Sequence, residues 1–232
     1  MNVKIFADGA DKAGMLEMNK NPLISGFTTN PTLMRKAGIT DYKAFALDII
    51  KEIPDKPLSF EVFSDEVEEM YEQAHIIDSW GENVYVKIPV TNTKGESMSE
   101  LVDLLQAFQI KVNVTAITTL QQVCEIADIL GDSKTLSYIS IFAGRIADTG
   151  VDPLPIMKEA VKIIKDTNIE LIWASPREVF NVYQAEEIGC DIITCTNDII
   201  KKLPLRGKDL TEYSLDTVKL FYNDAKAAGY EI

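Results

Sequence analysis

Residues 84–90 read VYVKIPV. Valine, tyrosine and isoleucine favour strands, and the run is apolar on both faces except at one lysine, Lys87. A strand wetted on one side alternates apolar with polar residues, whereas a strand covered on both sides does not. The stretch therefore reads as an interior strand of a parallel sheet, spanning 83–88. Working outward, similar runs recur at 3–8 (VKIFAD), 26–29 (GFTT), 58–63 (LSFEVF), 110–116 (IKVNVTA), 136–142 (LSYISIF), 169–174 (IELIWA) and 191–195 (DIITC).

Amphipathic stretches separate these runs. Residues 64–80 gather Val67, Met70, Tyr71, Ala74 and Ile77 on one face, with Ser64 as N-cap. Residues 97–109 begin with Ser97 and Glu100 at capping-box spacing and continue with a stripe of Leu101, Leu104, Leu105 and Phe108. Residues 118–130 align Val123, Ile126, Ala127 and Leu130 and stop at Gly131. Strands alternating with helices make right-handed βαβ units. Eight such units without a linker predict one α/β domain over residues 1–232, a closed (β/α)₈ TIM barrel. One further helix, 209–230, carries Leu215, Val218, Phe221 and Ala225; it is expected to pack on the barrel or on a neighbouring subunit, and a homo-oligomer is anticipated.

Bulk properties narrow the chemistry. The 232 residues suit a single barrel, with 46% hydrophobic and 25% charged residues. A net charge of −13 argues against nucleic acid or an anionic membrane as the main partner. A small anionic substrate stays open, because a local arginine cluster overrides a global field. The start, MNVKIFADGADKAG, has no apolar run of signal-peptide length, and no stretch approaches a membrane span. Cys124, Cys190 and Cys195 are not spaced as a metal knuckle and read as buried reduced thiols of a cytoplasmic protein. A single histidine, His75, excludes a multi-histidine metal site and argues against metal catalysis. Acid–base work falls to carboxylates, lysine or tyrosine.

The polar residues that interrupt the strands decide where that work happens. The active end of such a barrel is the carboxyl end of its strands. Asp8 ends the first run, and Asn30 follows the second. Glu61 and Lys87 lie late in the third and fourth, Asn113 and Thr115 late in the fifth. Ser140, with Arg145 beyond it, closes the sixth, and Ser175 and Arg177 follow the seventh. Each has an ordinary alternative. Asp8 and Asn30 suit helix caps, Asn30 with Pro31 at the first helical position. Glu61 suits an exposed strand end, Ser140 a small filler, and the arginines surface ion pairs. Independent accidents would not gather at one end of one barrel. Lysine is normally solvated, yet Lys87 sits within an apolar strand. Burial disfavours an ammonium and favours the neutral amine that attacks a ketone. Glu61 on the adjacent strand is a candidate proton carrier. Lys4 and Lys111 lie near the amino ends of their strands and rank lower.

The motifs resemble the transaldolase family, a group of class I aldolases. The segments that carry the resemblance are TTNPTL at 28–33, VKIPVTNTKGE at 86–96, VNVTAITT at 112–119, FAGRIADTG at 142–150, WASPRE at 173–178 and the run at 189–194. It covers nearly the whole chain, and the combination in this order and spacing is highly specific. It implies a Schiff base between Lys87 and a ketose phosphate, with no metal and no cofactor. It implies that Glu61 and Thr115 shuttle protons through a water and that Asp8 takes the proton from the hydroxyl beside the breaking bond. Asn30, Asn113 and Ser140 would hold the three-carbon fragment, and Arg145 and Arg177, with Ser175 beside the latter, the phosphate. The chain is short for the family and matches its compact subgroup, which includes fructose-6-phosphate aldolases. It departs in having Gly9 after Asp8, and Ile141 and Ala143 around Phe142. Members that release dihydroxyacetone tend to carry Gln where Glu61 stands and Tyr where Phe142 stands, so both positions here point to transfer, as in the pentose phosphate pathway. Three rivals remain: such an aldolase, a transaldolase for a sulfosugar, and a non-catalytic sugar-phosphate-binding protein.

Overall fold

A computed structural model describes residues 1–232, which divide into two compact units, Met1–Ile200 and Lys201–Ile232. The first holds eight strands: β1 (Lys4–Asp8), β2 (Ile24–Thr28), β3 (Leu58–Glu61), β4 (Val84–Pro89), β5 (Val112–Ile117), β6 (Ser137–Ile141), β7 (Ile169–Trp173) and β8 (Ile192–Cys195). They form a closed barrel in sequence order, and β1 pairs in parallel with β8. Helix α1 (Lys12–Asn19) follows β1, and α2 (Pro31–Lys36) and α3 (Tyr42–Glu52) follow β2. Then come α4 (Val67–Asp78), α5 (Ser99–Ala107) and α6 (Leu120–Leu130), one after each of β3, β4 and β5. Next, α7 (Ala143–Asp148) and α8 (Leu154–Ile163) follow β6, α9 (Phe180–Glu187) follows β7, and α10 (Asn197–Ile200) follows β8. This is the (β/α)₈ TIM barrel that the alternation predicts.

The two-residue period of a strand explains how the barrel is filled. Phe6, Tyr85, Tyr138, Ile172 and Ile192 form one apolar cluster inside it. Tyr85 and Tyr138 stack with ring centroids 4.1 Å apart, and Phe6 meets Tyr138 edge-on at 5.9 Å. Gly26 makes room: a Cβ there would sit 2.6 Å from the Phe6 ring. Two residues further along the same strands come Asp8, Thr28, Lys87, Ser140 and Thr194. The aromatic layer is thus a solid floor, and the polar layer lies above it at the carboxyl end.

Four local readings differ from the sequence expectation. The cap of α4 is Glu66, not Ser64, whose hydroxyl bonds Glu69 instead. The cap of α5 is Met98, whose side chain makes no capping bond; Ser97, one residue earlier, accepts from the Ser99 amide at 3.3 Å and donates to Glu125. The stripe of α5 is narrower than expected: Leu101 and Leu105 are buried, while Leu104 and Phe108 are exposed. Cys124 is exposed; only Cys190 and Cys195 are buried. By contrast, α6 has a full capping box between Thr119 and Gln122 and ends at Gly131.

The second unit has a 3-10 turn at Leu203–Leu205 and one long helix, α11 (Leu210–Ala228). Asp209 caps α11 by accepting from the Thr211 and Glu212 amides, and Gly229 ends it at a left-handed φ of 66°. None of its residues is buried, Leu215, Val218 and Phe221 included. No helix is long and apolar enough to cross a membrane.

Candidate active site

Lys87 is 5% exposed, and its ammonium has two acceptors. Nζ donates to the Thr29 carbonyl at 2.8 Å and pairs with Glu61 Oε2 at 3.0 Å. Strand register brings this pair together, since Glu61 stands opposite Lys87 across β3 and β4, and Lys87 opposite Asn113 across β4 and β5. An uncompensated charge at this depth would be strongly unfavourable; the carboxylate and the carbonyl compensate it.

Asp8, at the end of β1, faces the same space. Burial raises its pKa above the ordinary aspartate value; the Lys87 charge and a hydrogen bond from Thr28 pull it down, and Glu61 pushes it up. Thr28 Oγ1 donates to Asp8 Oδ1 at 2.8 Å and lies 2.5 Å from Thr194 Oγ1. Sequence reasoning assigned no role to Thr28 or Thr194. Their signal was periodic: each lies two residues after an inward position, Gly26 and Ile192. Cys195 also stands near Asp8, but burial pushes its thiol up to about 12, so it stays neutral beside the carboxylate.

Above this layer opens a cavity of about 420 Å³. Asp8, Asn30, Glu61, Lys87, Thr115, Ser140, Phe142, Arg145 and Ser175 line it, with Thr28 and Thr194. Asn113 is fully buried behind the wall. Its side-chain oxygen accepts from Ser140 Oγ at 2.7 Å, and Nδ2 donates to Ser59 Oγ at 3.1 Å. Asn113 therefore braces Ser140. Thr115 Oγ1 is buried and has no hydrogen-bond partner, which leaves its capacity for whatever enters. Asn30 does cap α2, accepting from the Leu33 amide at 2.9 Å, and also lines the cavity, so its two readings hold together. Asp8 is not a cap; Asp11 does that for α1.

The two arginines differ. Arg145, on the six-residue α7, reaches the cavity wall. Arg177 does not line it: its guanidinium is held by both carboxylate oxygens of Asp148, Nε to Oδ1 at 2.9 Å. That fork lowers the Asp148 pKa and raises that of Arg177. Gly144 lets the loop after β7 come this close, because a Cβ there would overlap the Ser175 carbonyl oxygen. Ala116 and Ser175, both on the cavity wall, have left-handed φ of 61° and 59°, rare for residues with a Cβ and concentrated at functional sites.

Comparison with known proteins bears on the fold and the family. Barrels of solved structure share the fold at low identity. They include 3-hexulose-6-phosphate synthase (TM-score 0.57, 14% identity, 84% of this chain and 90% of that one) and KGPDC from Streptococcus mutans (TM-score 0.59, 10% identity, 87% and 91%). Among sequences, "Probable transaldolase 2" of Listeria monocytogenes is 34% identical over 222 residues, 92% of this chain and 95% of that one. A "Probable transaldolase" of Thermoanaerobacter is 33% identical over 235 residues, 99% of this chain and all of that one. The sequence model of Transaldolase/Fructose-6-phosphate aldolase matches residues 5–232. The chain therefore belongs to the transaldolase and fructose-6-phosphate aldolase family.

Proposed function

We propose that the protein is a class I transaldolase that moves a dihydroxyacetone unit from a ketose phosphate such as fructose 6-phosphate to an aldose phosphate such as erythrose 4-phosphate, within the pentose phosphate pathway. The observation that carries this reading is a buried lysine, Lys87, paired with Glu61 on the floor of a cavity that Asp8 also lines. In this scheme Lys87 passes its proton to Glu61 and its amine attacks the ketose carbonyl. One proton passes from the attacking nitrogen to the oxygen by way of Thr115 and a water, Glu61 returns the other, and the carbinolamine loses water to leave a protonated imine. Asp8 takes the proton from the hydroxyl beside the breaking carbon–carbon bond. The bond's electrons flow into the iminium to give an enamine, and the aldehyde leaves. The enamine then attacks the incoming aldose, whose carbonyl oxygen takes the proton back from Asp8, and addition of water to the resulting iminium frees Lys87. Ser140, braced by Asn113, and Asn30 would hold the three-carbon fragment; Arg145, Ser175 and Arg177 would take the phosphate. No metal ion or cofactor enters the scheme, and a cytoplasmic homo-oligomer is its proposed setting.

The test is borohydride reduction in the presence of fructose 6-phosphate, followed by mass mapping. The adduct is expected on the peptide that holds Lys87, and Lys87→Ala is expected to abolish turnover while leaving a folded barrel. A trapped adduct on another lysine, or a fully active Lys87→Ala, would sink the scheme. Absence of any adduct would favour the sugar-phosphate-binding protein. Glu61 and Phe142 on the cavity wall favour transfer over release of free dihydroxyacetone.

A further inference from the structure

Resting on that reading of Lys87 and Glu61, we propose that Tyr42 is a positioning residue for the proton transfers: its hydroxyl takes the place of a missing strand beside Glu61 and so holds the Glu61 carboxylate on Lys87. At β3 and the residue before it, residues 57, 59 and 61 direct their backbone groups toward β2. The ladder runs Phe27 N–H to the Pro57 carbonyl and Thr29 N–H to the Ser59 carbonyl, at 2.9 and 3.2 Å. There it stops, because Asn30 turns the chain into α2. The backbone of Glu61 would be the next rung, and no residue of β2 is there to meet it.

The Tyr42 hydroxyl does both parts of that work. It donates to the Glu61 carbonyl at 2.8 Å and accepts from the Glu61 N–H, also at 2.8 Å. Tyr42 is itself firmly held. It is the first residue of α3, whose cap Asp41 accepts from the Ala44 amide. Its ring packs against Phe60, Phe63 and Trp80 at centroid distances of 6.4, 5.3 and 6.0 Å. Burial raises its pKa far above that of an ordinary phenol, so the O–H donor is present at any working pH. With its backbone pinned on this side, and with Val62 N–H bonded to the Lys87 carbonyl at 3.1 Å on the other, Glu61 points its side chain into the cavity from a fixed origin. A proton carrier needs such an origin, because transfer to Lys87 tolerates little misplacement.

Tyr42→Phe removes one oxygen and keeps the ring in its cage, so the variant should fold. The experiment is rapid-quench borohydride trapping with fructose 6-phosphate across a pH series, on the unaltered protein, Tyr42→Phe, Glu61→Gln and the double variant. Tyr42→Phe is expected to slow imine formation roughly 10- to 100-fold and to shift its pH profile, whereas the Michaelis constant for the phosphorylated donor stays within about twofold. The double variant should be no slower than Glu61→Gln alone, since Tyr42 acts only through Glu61. If Glu61→Gln is slow but Tyr42→Phe keeps the original rate and profile, or if the two losses simply add, Tyr42 has only a structural role and the proposal fails by itself. If Glu61→Gln forms the imine at the original rate, the reading beneath the proposal fails and takes it along.

Discussion

Burial makes the carboxylate of Asp8 more basic than one in water, which suits the proton acceptor proposed for it. The same burial works against the fold. A carboxyl with a raised folded pKa is bound to its proton more tightly in the native state, so stability is greatest where both states are protonated. It declines as pH rises from 3.8, the ordinary value, through the raised native one, and then levels off. Asp8→Asn, neutral throughout, should therefore melt a few degrees higher than the unaltered protein at neutral pH, with the gain shrinking toward pH 4. Its turnover should fall by about 10²- to 10⁴-fold. Calorimetry across pH beside steady-state kinetics would check both, and a lower melting temperature at neutral pH would contradict the argument. Asp8, Glu61 and Lys87 were legible in the sequence because chemistry-bearing residues rarely interrupt apolar strands. Thr28 and Thr194 were not, since a threonine in a strand is unremarkable there. Tyr42 was hidden for another reason: it opens a helix, and nothing in local spacing says which strand edge it will meet.

Among the elements, α7 and the loop after β7 define the rim where an anion would bind. Arg145 is free to line the cavity while Arg177 is engaged with Asp148. We expect Arg145→Ala to raise the Michaelis constant for fructose 6-phosphate by an energy on the order of 2 kcal/mol, as for a charge-assisted contact. Arg177→Ala should raise it less, since its exposed ion pair must first be surrendered and is itself worth little. Equal effects would mean that Arg177 leaves Asp148 completely when substrate binds. Gly144→Ala should do damage of another kind, because α7 must move off the Ser175 carbonyl to fit the methyl; a loss of about 1–3 kcal/mol in stability is expected, measurable by denaturant titration. The alternation of strand and helix made these elements readable, and periodicity located every strand. Their caps were less so: Ser64 and Ser97 fit the capping pattern, but the helices begin after Glu66 and Met98, and both hydroxyls donate to carboxylates, of Glu69 and Glu125.

For the whole molecule, α11 carries the clearest expectation. A helix of 19 residues with no buried side chain draws little on packing, and isolated helices are marginal in water. Leu215, Val218 and Phe221 are 51%, 60% and 66% exposed, so we expect the protein to associate with copies of itself and light scattering to give a multiple of the chain mass. Leu215→Glu with Phe221→Glu should lower that mass if α11 contributes to the contact; an unchanged assembly would place the contact elsewhere. The closed sheet has a different implication. Phe6, Tyr85 and Tyr138 seal the barrel beneath Lys87, so the reaction vessel has one mouth. On the proposed function, a sugar seated on the lysine would then be its own stopper. On the proposed scheme, the proton that Asp8 takes up stays there until an acceptor reaches the site, so the lifetime of the enamine would be governed from the rim, by the next molecule to arrive.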